Sequence, residues 1–375
     1  MNSYDINRKL HEMNRPQRSG LLLRSAGLVA LALAMTATSP TLAGGFSNAG
    51  KMNLARSGQA AMLLGNGQVL VLGGNNSLAA EQSADLFNPA TGKWTLIGNL
   101  NPRGIFGYSA VLLTNGEVLV AGGRALGGPM TNSAALFNPS PGTWTPTASM
   151  NTARQGCLLI LLSNGNALAA GGDTSFSQPS TAELYDPATG TWTPTGSMTG
   201  SFNGYTAILL GDGEVLALVA EVSGGATDLY DPATGSWTAN PPPPPAQSGL
   251  VGLLPNGLAW GADILYDAST EQWTTFAGPS SRGGVCVLAT GQGLAAGGTF
   301  EVNARPYPIE ETLKSAELWD PRTLAWTSIA NLNVSRTGQS MTLLLNGQVL
   351  LAGGESFDKS AGHLVPIASA ELYTP

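Results

Sequence analysis

Short apolar runs separated by turn residues make up most of the chain after residue 43. The clearest example lies between Arg154 and Trp192, where two runs flank Asn164-Gly165 and a glycine doublet, Gly171-Gly172, follows the second run. The runs are of strand length and are rich in Leu, Val and Ala. That composition is typical of β-strands in sheets that are covered on both faces. The pattern therefore predicts an all-β protein.

Asparagine–glycine or aspartate–glycine pairs separate the paired runs. Such pairs tolerate the positive φ angles of a type I′ turn, so each predicts a tight β-hairpin. The pairs are Asn66-Gly67, Asn115-Gly116, Asn164-Gly165, Asp212-Gly213, Asn256-Gly257 and Asn346-Gly347.

Two further short strands complete each repeat. Glu183-Leu184-Tyr185 is predicted as the third strand, which Pro187 ends because proline cannot donate to a β-ladder. Thr191-Trp192-Thr193 is predicted as the fourth. The tryptophans at this position are spaced 50, 48, 45, 36 and 53 residues apart, at Trp94, Trp144, Trp192, Trp237, Trp273 and Trp326. Four antiparallel strands in a period of this length predict the blades of a β-propeller.

Counting the third strands predicts seven blades. The phrase begins at Asp85, Ala135, Glu183, Asp228, Ile264, Glu317 and Glu371. A seventh tryptophan does not follow Glu371, but Phe46 precedes Met52 by six residues, as Trp144 precedes Met150. We therefore expect residues 44–51 to form the outer strand of the last blade and to close the ring.

The repeated phrase resembles the kelch motif, in which a glycine doublet precedes a Tyr-Asp-Pro-like stretch and a tryptophan. The resemblance extends from about residue 46 to the end, with doublets at Gly73-Gly74, Gly122-Gly123, Gly171-Gly172, Gly297-Gly298 and Gly353-Gly354. It implies a seven-bladed kelch-type propeller like the central domain of galactose oxidase. It says little about activity, because kelch propellers occur both in enzymes and in binding proteins.

Residues 1–43 have the features of an export signal, and residues 44–375 are predicted to form one propeller domain. Five basic residues precede the short apolar run 26–35, and Thr41-Leu42-Ala43 is a plausible cleavage site. A membrane anchor is the competing interpretation, but the run is about half of the ~20 residues needed to span a bilayer. The sequence thus predicts a secreted protein, periplasmic or extracellular, with no stable membrane insertion after the signal is removed.

Charge argues against nucleic acid as a partner. Residues 1–43 carry five of the 17 basic and two of the 24 acidic side chains, which leaves 12 basic and 22 acidic residues and a formal net charge of −10. A diffuse negative charge repels phosphate backbones. The oligomeric state is left open.

The loops after the glycine doublets of the last two blades are the longest, and we predict a ligand site there. They span residues 299–314 and 355–369, and their candidate ligand-binding residues are Glu301, Arg305, Tyr307, Glu355, Asp358 and His363. Loops on a rigid scaffold often carry function. The alternative is that these are ordinary solvated surface loops.

Arg56, Arg154 and Arg336 occupy one position of the repeat, where Ile105, Phe202, Ala246 and Ser280 replace arginine. Two interpretations are open. The arginines could bond carbonyl or carboxylate groups between adjacent blades, or they could form a ring of guanidinium groups that binds a carboxylate or a sugar.

The resemblance to galactose oxidase implies a copper–radical site built from two histidines, two tyrosines and a cysteine. After residue 43 the chain has one histidine, His363, so a copper site with two imidazole ligands is excluded by composition. The sequence predicts no cofactor or metal, and it predicts no disulfide between Cys157 and Cys286.

Three functions remain open at this point. The first is a binding module for a glycan or a protein. The second is a sugar-processing enzyme that uses carboxylates, such as a mutarotase, in which Glu301, Glu355 or His363 would act with Arg336. The third is a surface protein that displays its loops.

Overall fold

The computed structural model describes residues 44–74, 83–98, 105–125, 128–174, 179–200, 205–219, 226–244, 249–280, 283–302 and 309–375. The chain divides into two units, Met1–Leu42 and Ala43–Pro375, and all described residues belong to the second. Every regular element of the described residues is a β-strand, and within these ranges no helix could cross a membrane.

The first half of the described chain contains strands β1 to β17. In chain order these are β1 (Gly45–Lys51), β2 (Ala60–Leu63), β3 (Val69–Leu72), β4 (Ala84–Asn88), β5 (Lys93–Ile97), β6 (Ile105–Phe106), β7 (Ser109–Leu112), β8 (Val118–Ala121), β9 (Arg124–Ala125), β10 (Ala134–Asn138), β11 (Thr143–Thr147), β12 (Leu158–Leu161), β13 (Ala167–Ala170), β14 (Ala182–Asp186), β15 (Thr191–Thr195), β16 (Tyr205–Leu209) and β17 (Val215–Val219).

The second half contains strands β18 to β34. They are β18 (Ala226–Asp231), β19 (Ser236–Asn240), β20 (Leu250–Leu253), β21 (Ala259–Gly261), β22 (Ile264–Asp267), β23 (Gln272–Thr275), β24 (Gly284–Val287), β25 (Gly293–Ala296), β26 (Thr299–Val302), β27 (Ile309–Thr312), β28 (Ala316–Asp320), β29 (Ala325–Ser328), β30 (Ser340–Leu343), β31 (Val349–Ala352), β32 (Glu355–Asp358), β33 (His363–Pro366) and β34 (Ser369–Thr374).

Seven four-stranded antiparallel sheets form the blades, as the sequence predicts. In blades 1 to 6 the strands lie in chain order, from β2–β3–β4–β5 in blade 1 to β24–β25–β28–β29 in blade 6. The first strand of each blade contacts the first strands of both neighbouring blades, so β2, β7, β12, β16, β20, β24 and β30 form a closed inner ring. This arrangement confirms the predicted seven-bladed β-propeller.

The seventh blade is completed by the beginning of the domain, which confirms the predicted ring closure. Its strand order is β30–β31–β34–β1, and Phe46 pairs with Tyr373. The two rings lie 5.1 Å apart between centroids, the same arrangement as Tyr185 and Trp192 in blade 3, also at 5.1 Å. Phe46 therefore occupies the position that tryptophan holds in the other blades.

The core lies between blades. All four residues of the second strand are buried in blades 1, 2, 3, 6 and 7. Each of these strands packs on both faces against a neighbouring sheet, which explains the continuous apolar runs. Full burial of a Val or Leu side chain contributes roughly 1.5–3 kcal/mol, so the second strands supply much of the stability.

The hairpin turns differ in type from the prediction. The glycine of Asn66-Gly67 has φ 80°, but no asparagine of the described residues has a positive φ. The Gly67 amide donates to the Leu64 carbonyl at 2.9 Å, and the Leu64 amide donates to the Gln68 carbonyl at 2.8 Å. The loop therefore has three residues and ends in a glycine bulge, which needs one left-handed residue where a type I′ turn needs two.

Candidate functional site

The guanidinium groups of Arg56, Arg154 and Arg336 lie inside the propeller wall, each 0% exposed. Arg154 is representative. It donates to the carbonyls of Gly171 and Thr181 at 2.9 and 2.8 Å and forms an ion pair with Glu183 at 3.0 Å. Arg56 and Arg336 make the same contacts, through Asp85 and Glu371.

The backbone of the same arginines joins adjacent blades. The amide of the second glycine of the preceding blade's doublet donates to the arginine carbonyl, at 2.7 Å from Gly123 to Arg154 and 2.9 Å from Gly354 to Arg56. A Cβ atom on Gly353 would lie 2.5 Å from the Arg56 carbonyl oxygen, so only glycine fits this crossing.

Each carboxylate partner also orders the loop before its arginine. Glu183 accepts hydrogen bonds from the amides of Asn151 and Thr152 at 2.6 and 3.0 Å. Burial tends to raise the pKa of Glu183, but hydrogen bonds from Asn151 and Arg154 outweigh it and lower the pKa below its ordinary value. The carboxylate is therefore ionised at neutral pH, as the ion pair requires.

These contacts assign the three arginines to the wall and not to a ligand site. Of the two interpretations that the sequence left open, these contacts favour the structural one, because each guanidinium group is buried and bonded to carbonyl and carboxylate groups of its own blade.

A correction concerns Ser280, which the sequence aligns with arginine. The Ser280 amide and hydroxyl donate to Glu317 at 2.7 and 2.9 Å, as Asn151 does to Glu183. Ser280 therefore occupies the asparagine position of the motif.

The two long loops form β-hairpins, β26–β27 in blade 6 and β32–β33 in blade 7. Strand β27 contacts both strands of the second hairpin. Thr312 donates to Ser335 at 2.9 Å, and the hydroxyls of Ser335 and Ser356 lie 3.2 Å apart. The structure thus brings the two predicted loops together through a series of hydroxyl groups.

The outward side of the first hairpin carries an exposed aromatic ring. Phe300 is 44% exposed and pairs with Glu311, one step along the strands from Thr299 and Thr312. Side chains alternate along a strand, so Phe300 and Glu311 lie on the side of the hairpin opposite Thr312, which contacts Ser335. An exposed ring next to a carboxylate gives this hairpin one apolar and one polar contact for a ligand.

Glu355 lies at the base of the second hairpin, next to blade 1. It accepts a hydrogen bond from Ser57 at 2.8 Å, across 298 positions of sequence. Ser57 is 7% exposed and directly follows Arg56, whose carbonyl is bonded to Gly354. The buried arginine therefore positions the serine that contacts Glu355.

Two glutamines beside this pair have buried acceptor atoms, and neither was among the site residues predicted from the sequence. Gln59 donates to the Ala352 carbonyl at 2.6 Å, and Gln339 donates to the Ala296 carbonyl at 2.7 Å. Both residues are more than nine-tenths buried, and their Oε1 atoms have no hydrogen-bond partner among the described residues. Their position after the repeated glycine of the motif, Gly58 and Gly338, was the available signal.

The other predicted residues do not converge on Glu355. Asp358 and His363 pair at the far end of the second hairpin, three residues along β32 from Glu355, or about 10 Å. His363 is exposed, and its Nδ1 lies 3.0 Å from the Ala361 carbonyl. Asp358 accepts from Ser360 in the adjoining turn. Arg336 is buried and paired with Glu371, so neither Glu355 nor His363 acts with it as the sequence suggested.

For three predicted residues of the first hairpin, no side-chain contact is described. Arg305 and Tyr307 lie outside the described residues. Glu301 belongs to β26 and its backbone pairs with Glu310, but its side chain is not among the described ones.

A concavity lies at the ends of the strands opposite the two hairpins. It has a volume of about 450 Å³ and is lined by the turns 66–68, 88–90 and 344–346 of blades 1 and 7. Leu345 in this concavity is 78% exposed. The length of β31 separates the concavity from the β32–β33 hairpin.

The sequence matches no protein-family model and no curated protein. Among solved structures, 761 chains match. One is a novel fungal alcohol oxidase with catalytic diversity among the AA5 family, in complex with copper. It has a TM-score of 0.66 and 19% sequence identity, and the alignment covers 89% of this chain and 76% of that chain. At this identity the likeness shows the fold alone.

The residues of this chain do not fit a copper centre of the implied kind. Within the described ranges, no group of three or more His, Cys, Asp or Glu side chains could hold a metal ion. Cys157 and Cys286 are buried free thiols. Burial raises the pKa of Cys157, and it raises the pKa of Cys286 to about 11, so both thiols are protonated at neutral pH. We derive no chemistry through copper.

The sequence repeat, the seven sheets and the solved structure that aligns with them agree on the fold. The strand order within the sheets and the completion of the seventh blade by β1 agree with the kelch motif identified in the sequence. The chain is a seven-bladed β-propeller consistent with the kelch type, and its fold is similar to that of a solved protein of the galactose-oxidase (AA5) family.

Proposed function

We propose that this propeller is an exported binding module whose ligand is a glycan. The ligand binds the hairpin surface, which we define as the outward side of β26–β27, the β32–β33 hairpin and the Ser57–Glu355 pair. The observation that carries the proposal is the packing of both long hairpins against one another beside this pair.

The Ser57–Glu355 pair gives the hairpin surface a hydroxyl and a carboxylate, and two buried glutamine acceptors lie beside it. Glu355 offers carboxylate oxygens, and the buried Oε1 atoms of Gln59 and Gln339 lack donors. A buried acceptor without a partner is unfavourable, and a hydroxyl from a ligand or from water relieves it. Glycans offer many hydroxyl donors and do not need a positively charged site, so they fit this surface.

Phe300 supports the same ligand class. Its ring is 44% exposed and lies beside Glu311. Aromatic rings offer a flat apolar face of low conformational entropy, which packs against the C–H faces of sugar rings while the hydroxyls bond to neighbouring polar groups. The signal-like residues 1–43 support export, which is part of the proposal.

The test is binding of residues 44–375 to a panel of glycans, measured by thermal shift and then by calorimetry. For a glycan that binds, we expect Phe300→Ser and Glu355→Ala each to weaken the affinity about tenfold, which corresponds to about 1.4 kcal/mol. The matched control is Leu345→Ser, an exposed change in the concavity at the other end of β31, which should leave affinity unchanged.

Three outcomes would contradict the proposal. Absence of binding across the panel would favour a protein ligand or a display role for the loops. Loss of binding in Leu345→Ser but not in Phe300→Ser would place the ligand in the opposite concavity. Conversion of one anomer into the other in a sugar solution would instead indicate an enzyme.

A further inference from the structure

Third-strand tyrosines of the propeller hydrogen-bond to the preceding blade. The Tyr185 hydroxyl lies 2.8 Å from Thr147, and the Tyr230 hydroxyl lies 2.9 Å from Thr195. Tyr266 donates to Asn240 at 3.0 Å. In each case the partner stands three residues after the motif tryptophan of the preceding blade. The contact joins the third strand of one blade to the fourth strand of the preceding blade.

Tyr373 of blade 7 lacks this partner. Ile329 stands three residues after Trp326, where the blades that precede the other three tyrosines have a threonine or an asparagine. Tyr373 is 0% exposed, and its hydroxyl has no hydrogen-bond partner among the described residues. Burial raises the pKa of Tyr373, so the hydroxyl is protonated and could both donate and accept.

Gly44 lies directly against this hydroxyl. It is buried, and a Cβ atom on it would overlap the Tyr373 Oη atom and lie 2.7 Å from Cζ. Gly44 is the residue before β1, and it immediately follows Thr41-Leu42-Ala43, the small-residue motif at the end of the signal-like segment. Position 44 therefore combines a steric need for glycine with the position that follows a leader cleavage site.

We infer that the chain is cut between Ala43 and Gly44 and that the new amino terminus of Gly44 hydrogen-bonds to the Tyr373 hydroxyl. Hydrolysis breaks the Ala43–Gly44 peptide bond, water supplies oxygen to the Ala43 carboxylate, and the Gly44 nitrogen becomes an ammonium group. The peptide nitrogen has one N–H in a fixed plane, whereas an ammonium group has three donors that rotate about the N–Cα bond. Processing thus supplies the donor that Tyr373 lacks.

The inference rests on the proposed leader and is independent of the ligand. The first experiment is export of the full chain, followed by intact-mass measurement of the purified protein. We expect a chain that begins at Gly44. A chain that retains residues 1–43 would overturn both the leader and this inference, whereas cleavage at another bond would overturn only the assignment of Gly44.

The second experiment tests the contact itself. Four proteins are compared by thermal unfolding: residues 44–375 and residues 43–375, each with Tyr373 and with Tyr373→Phe. With Tyr373, we expect the chain that starts at Gly44 to melt about 1–2 °C higher, the shift that one hydrogen bond gives in a domain of this size. With phenylalanine the difference should vanish. An equal difference in both backgrounds would overturn the contact, because it would arise without the hydroxyl.

Discussion

At the residue scale, the repeated arginines show how one side chain can organise a loop face without touching a ligand. Arg56 is buried in the wall of blade 1, yet its carbonyl holds Gly354 of blade 7, and the next residue, Ser57, donates to Glu355. Removal of one member of a buried ion pair usually costs about 3–5 kcal/mol, because the other charge stays buried without a partner. The wall and the hairpin surface are therefore energetically linked.

Glu183 makes the stability of the wall depend on pH. The pKa of Glu183 is lower in the folded protein than its ordinary value of 4.5. Glu183 therefore stabilises the fold at pH values above 4.5, and this contribution is lost as pH falls through the lower folded pKa. We expect the thermal midpoint to drop steeply below pH 4.5.

A substitution tests the source of this dependence. Glu183→Gln should lower the midpoint at pH 7 and make the slope below pH 4.5 shallower, since the group no longer titrates. Glu117→Gln, in a hairpin turn, serves as the control. An unchanged slope in Glu183→Gln would contradict the role given to Glu183. The measurement is thermal unfolding across a pH series.

At the element scale, β1 determines whether the ring is closed. It pairs with β34 from Gly45 to Lys51, and Ala49 and Met52 join the core between blades 7 and 1. Without β1, the outer edge of β34 would be unpaired and the seventh blade would have three strands. Exposed strand edges also promote aggregation.

Deletion of residues 44–51 should therefore lower the thermal midpoint and increase aggregation. Addition of a synthetic peptide of the sequence 44–51 to the truncated protein should raise the midpoint in a concentration-dependent manner, because the peptide binds only the folded ring. A peptide in which Phe46 is replaced by serine is the control, since it loses the ring that packs on Tyr373. Equal midpoints for the truncated and intact domains would contradict the closure.

At the scale of the whole molecule, the chain ends of the propeller are adjacent partners in one sheet. Gly45 pairs with Thr374, in the arrangement by which Ser236 pairs with Asp231 in blade 4. In blade 4 the connection is the turn Pro232-Ala233-Thr234-Gly235. Any fourth strand could therefore be supplied by the start of the chain without a change in the fold.

A circular permutant tests this equivalence. The chain is joined from Thr374 to Gly45 through Pro-Ala-Thr-Gly and opened between Ala233 and Thr234. We expect circular dichroism and a thermal midpoint close to those of residues 44–375, because every strand pair is retained. Failure to fold would show that closure at blade 7 has a role that another blade cannot replace.

The fold could be predicted from the sequence because its signals are local. Strand-length apolar runs, Asn-Gly turns and Phe46 before Met52 each lie within a few residues, and they specified seven blades and the closing strand. The turn type was wrong, because Asn-Gly is compatible with more than one hairpin loop and the choice depends on the bulge that joins the strands.

The contacts at the loop face were decided only by the tertiary structure. Ser57 and Glu355 are 298 residues apart in sequence, and nothing near either residue indicates the other. The repeat alone could not decide between a buried and a ligand-binding arginine, because both require the same residue at the same position. Local patterns set the strands and their order, whereas the closed ring determined which side chains are buried, which meet and which remain free to bind.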